Sequence, residues 1–412
     1  MPHEPELLVL DAHGTDPDAE IRALHSLGPA ARVDLLGVTA WAVSEPDLLR
    51  ELLTSPDVSK DARQHWPRFE EVSGAWQLAL WVTVKNMFTA YGSEHRRLRR
   101  LVAPAFAARR VAALAGHVEA VVTGLLDDLA ATAPGEPVDL RERFAYPLPI
   151  QVISHLMGLP PDQREGFRDV VDGVFATTLT PDESAANTAR LYTVLDRLIA
   201  AKRAEPGEDM TSLLIAARDE EGEESALTDD ELRDTLLLVI TAGYETTVNL
   251  IDQAVAALLT HPEQLAHVRA GRAGWDDVVE ETLRLKPAVK HLPLRFAVRD
   301  IPLPDGQVIP AGEPILASYA AANRHPGRHG DRADSFDLTR TAPGPEHLAF
   351  GHGVHYCLGA SLARLEAVAA LRALFARFPE AELAVSVEEL EPVPSLLTYG
   401  HKHLPVRLRP AV

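Results

Sequence analysis

The chain has 412 residues, of which 46% are hydrophobic and 24% charged, a composition well away from that of disordered segments. With 60 acidic against 40 basic side chains the net charge is −20, which argues against a general nucleic-acid binder. There is no run of about 18 apolar residues, and the N-terminus lacks a basic segment followed by an apolar one. No membrane span is therefore expected, and a cytosolic location is. The single cysteine, Cys357, rules out an internal disulfide and is the only candidate for thiolate chemistry.

In chain order, residues 33–36 and 41–43 flank Gly37 as a hairpin, and a helix starts near Pro46. Helical patterns follow at 94–107, 109–132, 161–176, 185–204, 229–260, 274–285 and 360–378. Short strand-like pieces recur at 294–299, 307–309, 314–318, 394–399 and 404–409. No internal repeat or low-complexity linker divides the chain, and the acidic run at 218–231 reads as a surface loop. These patterns predict one mainly α domain over residues 1–412, with a small discontinuous β region assembled from distant segments.

The pattern at 229–260 is unusually long. Thr228 followed by Glu231 makes a capping box, and His261-Pro262 ends the helix. About 30 residues span roughly 45 Å, enough to cross the whole molecule. Its middle, from Leu236 to Ile240, is apolar on every face and predicts burial. Into that middle the sequence places Ala242-Gly243-Tyr244-Glu245-Thr246-Thr247. Glycine, a carboxylate and threonines are poor core material, and threonine hydroxyls bond back to helix carbonyls. Such local inconsistency marks functional sites.

The segment Phe350-Gly351-His352-Gly353-Val354-His355-Tyr356-Cys357-Leu358-Gly359 has glycines that permit a tight loop and close backbone approach. An amphipathic helix begins directly after it, so Cys357 is expected at a helix N-terminus, where N–H groups and the dipole favour a thiolate. An isolated cysteine is more often a small buried hydrophobe. With no second cysteine, a zinc site is excluded.

The string F-G-x-G-x-H-x-C-x-G resembles the cysteine-ligand loop of the cytochrome P450 family. Other segments agree in order: E-x-x-R at Glu281 and Arg284, A-G-x-[DE]-T-T at 242–247, and the H-R-R-L-R helix with His95 and Arg99. The resemblance spans roughly residues 35–408 and is strongest to soluble actinomycete members. It implies a triangular-prism P450 fold and haem b held by Cys357. It also implies monooxygenation: one atom of dioxygen enters an apolar small molecule and the other leaves as water. Electrons would come from NAD(P)H through ferredoxin reductase and ferredoxin.

The resemblance also implies roles. His95, Arg99, Arg295 and His355 would hold the haem propionates, since buried carboxylates need paired donors. Phe350, Gly351, Gly359, Ala242 and Gly243 would lie against the cofactor. Glu245 and Thr246 would be the acid–alcohol pair that delivers protons to dioxygen. Glu281, Arg284 and Arg340 would form a buried structural network rather than a catalytic one. Many relatives carry histidine where this chain has Tyr244, which either lines the pocket or only packs.

By position, 76–88, 175–179, 239–243, 289–294 and 396–399 are expected to line the substrate pocket. Trp81, Met87, Phe88, Phe175, Val239, Val289, Leu292 and Leu397 are its candidate walls. Aromatics there suit a steroid, terpenoid or macrolide-like ligand. Arginines at 96, 97, 99, 100, 109 and 110 make a candidate docking face for an acidic ferredoxin. A monomer is the default. A peroxide-driven or oxidative-coupling haem-thiolate enzyme and a non-catalytic haem-binding protein remain alternatives.

Overall fold

The computed structural model describes residues 7–133, 135–159, 167–218, 226–340 and 347–408. Helices dominate. The longest is Asp229–Thr260, 32 residues closed at its start by the Thr228/Glu231 capping box and at its end by His261. Most of its residues are buried, including Thr235, Glu245, Asn249 and Asp252. It packs against Pro147–Met157, Pro181–Ala204, Trp275–Leu285 and Ala360–Arg377, the bodies around a large apolar core that contains Leu236, Ile240, Val248 and Leu371.

A six-stranded mixed sheet lies to one side, ordered Leu8–Val9, Ala30–Leu35, Val38–Val43, Pro314–Ser318, His291–Ala297 and Val58–Ser59. Residues 8–59 and 291–318 therefore share one sheet. The hairpin register pairs Ala30 with Val43 and Leu35 with Val38, which sends Val33 and Leu35 into a second core with Leu316 and Phe296. Two smaller sheets join Glu382–Leu383, Pro405–Arg407 and Pro137–Asp139, and Ile301–Pro302 with Val308–Ile309. Among the described residues no helix is long and apolar enough to cross a membrane.

Several expected boundaries shift for physical reasons. The 94–107 pattern is helix only over Gly92–Val102 and continues as a 3₁₀ turn, Ala103–Phe106. Pro104 has no N–H to donate, so the helical ladder cannot continue through it. The 109–132 pattern breaks at Leu114 into Ala108–Ala113 and Ala115–Ala130. The 394–399 segment contributes only an isolated bridge, Thr398 with Val289, and Pro394 at its start has no ladder donor. The 161–176 pattern appears as Phe167–Phe175, with 161–166 outside the described residues, as are 219–225 of the acidic run.

Candidate active site

The cysteine loop is held by its own backbone. Cys357 N–H donates to the Phe350 carbonyl at 3.0 Å, and Gly351 N–H to the Leu348 carbonyl at 2.8 Å. Gly353 has φ +71°, and a Cβ there would stand 2.8 Å from the Leu53 carbonyl oxygen, so the loop passes too close to the helix Pro46–Thr54 for any side chain. Ala360–Arg377 begins three residues after Cys357, as its position in the sequence implied. The Gly359 and Ala360 N–H groups bond the sulfur, and with Arg99 and Arg364 they lower the thiol pKa, yet burial outweighs them and raises it. The N–H groups at the helix start thus favour the thiolate as expected, against the opposing effect of burial.

The sulfur opens onto a cavity with about 1750 Å³ of non-atom space, its open mouth included. Its walls are mostly apolar. Trp81, Met87, Phe88, Phe175, Val239, Val289 and Leu292 all line it, as expected. Leu397 does not: it is fully buried in the core beside the large sheet. Trp76 is also core, stacked edge-on to Trp66 and donating to the Leu35 carbonyl. Sequence position could not separate cavity wall from adjacent core.

Around the rim, Arg295 is buried and its Nη1 has no partner, and His95 Nε2 is likewise buried without one. The His95 and His355 rings lie 4.1 Å apart. Burial and the nearby Arg99 and Arg96 push His95 down to about 4, and burial with Arg295 pushes His355 well below its usual range. Both shifts favour the neutral rings. Arg99 donates to the Tyr356 carbonyl at 2.7 Å beside the cysteine loop. Unsatisfied buried donors beside a thiol, in a cavity this large, are the environment a haem with two carboxylates completes.

On the opposite wall, Ala242, Gly243 and Thr246 face the cavity. A Cβ on Gly243 would come within 3.0 Å of Ile153. Thr246 Oγ1 bonds back to the Ala242 carbonyl at 2.5 Å. Glu245 does not line the cavity. Its Oε1 accepts from Arg141 at 3.1 Å and from Asn249 at 2.9 Å. Arg141 comes from a π-turn, Arg141–Ala145, and its Nη1 lies 3.5 Å from Asp252, which accepts from His401. Burial raises Glu245 to about 7 despite Arg141, a cation it shares with Asp252. Tyr244 packs in the core beside Tyr146 and not on the cavity. Sequence reasoning missed Arg141, whose only signal was an arginine amid the apolar residues around 138–152.

Glu281 grips Arg284 through two contacts of 2.7 and 2.8 Å and accepts from Arg340 at 3.0 Å. Arg284 also donates to the carbonyls of Ala333 and Ser335, fastening the helix Trp275–Leu285 to the segment before the cysteine loop. Of the arginine group, Arg97 is buried and paired with Glu94 and Glu231, so it leaves the expected docking face. Arg96, Arg100, Arg109 and Arg110 are exposed.

The cytochrome P450 family model matches residues 186–271 and 275–396. The chain belongs to the cytochrome P450 family. A solved structure of CYP154A1 from Streptomyces coelicolor A3(2) is 67% identical, with a TM-score of 0.93, covering 98% of this chain and 100% of that one. The cytochrome P450 monooxygenase PikC of Streptomyces venezuelae is 42% identical over 410 residues, 98% of this chain and 95% of PikC. The 2-hydroxy-5-methyl-1-naphthoate 7-hydroxylase of Streptomyces carzinostaticus is 40% identical over 403 residues, 97% of each chain. This P450 is accordingly a haem b monooxygenase with the mainly α P450 fold.

Proposed function

We propose that this P450 inserts one oxygen atom into an apolar small molecule of steroid, terpenoid or macrolide-like size, with electrons from NAD(P)H through ferredoxin reductase and ferredoxin. The observation that carries the reading is one apolar cavity reached by the Cys357 sulfur on one wall and the Thr246 hydroxyl on the other. Haem bound there supplies dioxygen binding and oxygen-atom transfer. Cys357 ligates its iron, Phe350, Gly351 and Gly359 shape the thiolate side, and Ala242 and Gly243 leave room on the other. Arg99 and Arg295, with His95 and His355, hold its carboxylates.

Glu245, near pKa 7 by burial, both holds and releases a proton at neutral pH. It exchanges protons on the side of Arg141 and passes them through water to the Thr246 hydroxyl at the cavity. Glu281, Arg284 and Arg340 keep the fold. Trp81, Phe88 and Phe175 form an aromatic cluster, with Trp81 5.9 and 5.4 Å from the other two rings, that excludes water and orients the apolar ligand. The exposed Arg96, Arg100, Arg109 and Arg110 supply a positive patch for an acidic ferredoxin on a chain of net charge −20. The chain works as one domain, a monomer in the cytoplasm.

The deciding experiment is the absorption spectrum of dithionite-reduced protein with carbon monoxide, for wild type and Cys357→His. A strongly red-shifted Soret band present in wild type and lost in the variant is expected. A wild-type band at the position of a histidine-ligated haem would sink the reading. Product formation with hydrogen peroxide alone, at the rate reached with ferredoxin and reductase, would favour the peroxide-driven alternative.

A further inference from the structure

Lys60 is a buried cation that the haem-thiolate reading does not use. It follows the strand Val58–Ser59, whose register pairs Ser59 with Phe296. Continuing that register sets Lys60 across from Arg295. Both side chains line the cavity, and they are 2% and 4% exposed. The ammonium donates to the Pro293 carbonyl at 3.1 Å and stands 3.8 Å above the Phe88 ring. Among the described residues no carboxylate pairs with either Lys60 or Arg295. A neutral carbonyl and an aromatic face only partly replace the lost hydration of an ammonium. Like charges across a sheet pair repel, and burial with that repulsion holds Lys60 well below its usual range.

A site that carries such a cost without an internal counter-charge is built for an anion from outside the chain. The charges around the cavity point the same way. Among the described residues its lining cations are Lys60, Arg99 and Arg295, its one carboxyl side chain is Glu366, and burial raises Glu366 to about 8. Arg99 and Arg295 match the two carboxylates of haem, which leaves Lys60 over. Phe88 beneath the ammonium also belongs to the wall assigned to the apolar ligand.

We propose that Lys60 anchors a carboxylate inside the cavity. The leftover charge favours the acid group of an amphipathic substrate whose apolar body lies along Phe88 and Trp81. A haem propionate offers the same chemistry. The inference rests on the haem-thiolate reading and narrows its substrate class.

The test uses haem-loaded wild type, Lys60→Met and Lys60→Arg. Laurate and methyl laurate are titrated by the Soret shift that accompanies ligand entry, and haem loss to excess apomyoglobin is timed. A charge-assisted contact of this kind is worth about ten-fold or more in affinity. Wild type is expected to prefer the acid over the ester by that factor, Lys60→Met to lose the preference by weakening the acid alone, and Lys60→Arg to retain it. If the propionate is the occupant, Lys60→Met instead sheds haem several-fold faster while acid and ester bind it as they bind wild type. Unchanged haem loss together with no acid preference in wild type, or equal weakening of acid and ester in Lys60→Met, would overturn the seat. Removing an unpaired buried cation should leave Lys60→Met at least as heat-stable as wild type. A normal thiolate band with charge-blind binding and unchanged haem loss overturns only the Lys60 seat, whereas a missing thiolate band overturns the haem reading beneath it.

Discussion

Arg141 Nη2 stands 3.1 Å from Glu245 Oε1, so the acid of the acid–alcohol pair is tied to a cation while its neighbour Thr246 faces the cavity. Adjacent positions in the sequence thus serve two compartments. In the proposed relay, a proton that reaches Thr246 leaves a carboxylate that Arg141 also holds. Replacing Glu245 with Gln keeps the Asn249 contact and removes the titration. Substrate oxidation should fall by about 10²–10⁴-fold, with the reduced carbon monoxide spectrum unchanged. A variant that turns over at the wild-type rate would remove Glu245 from proton delivery.

Arg141→Met leaves Glu245 and Asp252 buried without their shared cation. Stranding buried charge costs about 3–5 kcal/mol. The expected result is a large drop in the denaturation midpoint, partly relieved by adding Glu245→Gln. Strict additivity of the two substitutions would show that they do not interact.

Arg284→Lys keeps a charge but not the fork that meets Glu281 and the carbonyls of Ala333 and Ser335. A loss of about 3–5 kcal/mol is expected from breaking the buried pair. Denaturant unfolding measures it, and a loss under about 1 kcal/mol would place the pair among ordinary surface contacts.

Glu366 is buried, lines the cavity, and its Oε2 has no partner. Burial alone raises it to about 8. The folded protein therefore holds this proton when the unfolded chain, near pH 4–5, has released it. Stability must fall as pH rises from there to about 8, then level off. Glu366→Gln removes that slope, so the variant should gain on wild type across the window by a few kcal/mol at most. Parallel stability curves for the two proteins would mean that Glu366 is ionised in the fold.

Gly353→Ala forces a Cβ to within 2.8 Å of the Leu53 carbonyl oxygen at φ +71°. Strain of about 1–3 kcal/mol is expected in the loop that carries Cys357. It should appear as faster haem loss as well as a lower melting temperature. Gly37→Ala, at φ +87° with nothing within 4 Å, should lower stability without affecting haem retention.

Much of this was legible in the sequence because it depends on local pattern. The long helix shows itself through the Thr228 and Glu231 box and His261-Pro262. The cysteine loop shows itself through its spacing. What stayed hidden depends on three-dimensional neighbours. Arg141 reaches Glu245 across 104 positions. Lys60 meets Arg295 only because distant strands pair. Leu397 and Leu292 have the same side chain, yet one is core and the other cavity wall. The expected thiolate preference at Cys357 followed from its helix terminus, but the opposing burial came from the surrounding packing.

Successive residues of an α-helix point about 100° apart. In the segment 242–247 that angle separates a hydroxyl inside the cavity from a carboxylate among the buried charges. Adding one residue before Ala242 would rotate the whole segment and send the hydroxyl into the protein, while adding a full turn would nearly restore the directions. This stretch can change its letters but not its length, so in a scan of single-residue insertions along Asp229–Thr260 those before Thr246 should misdirect its hydroxyl and those beyond Thr247 should not.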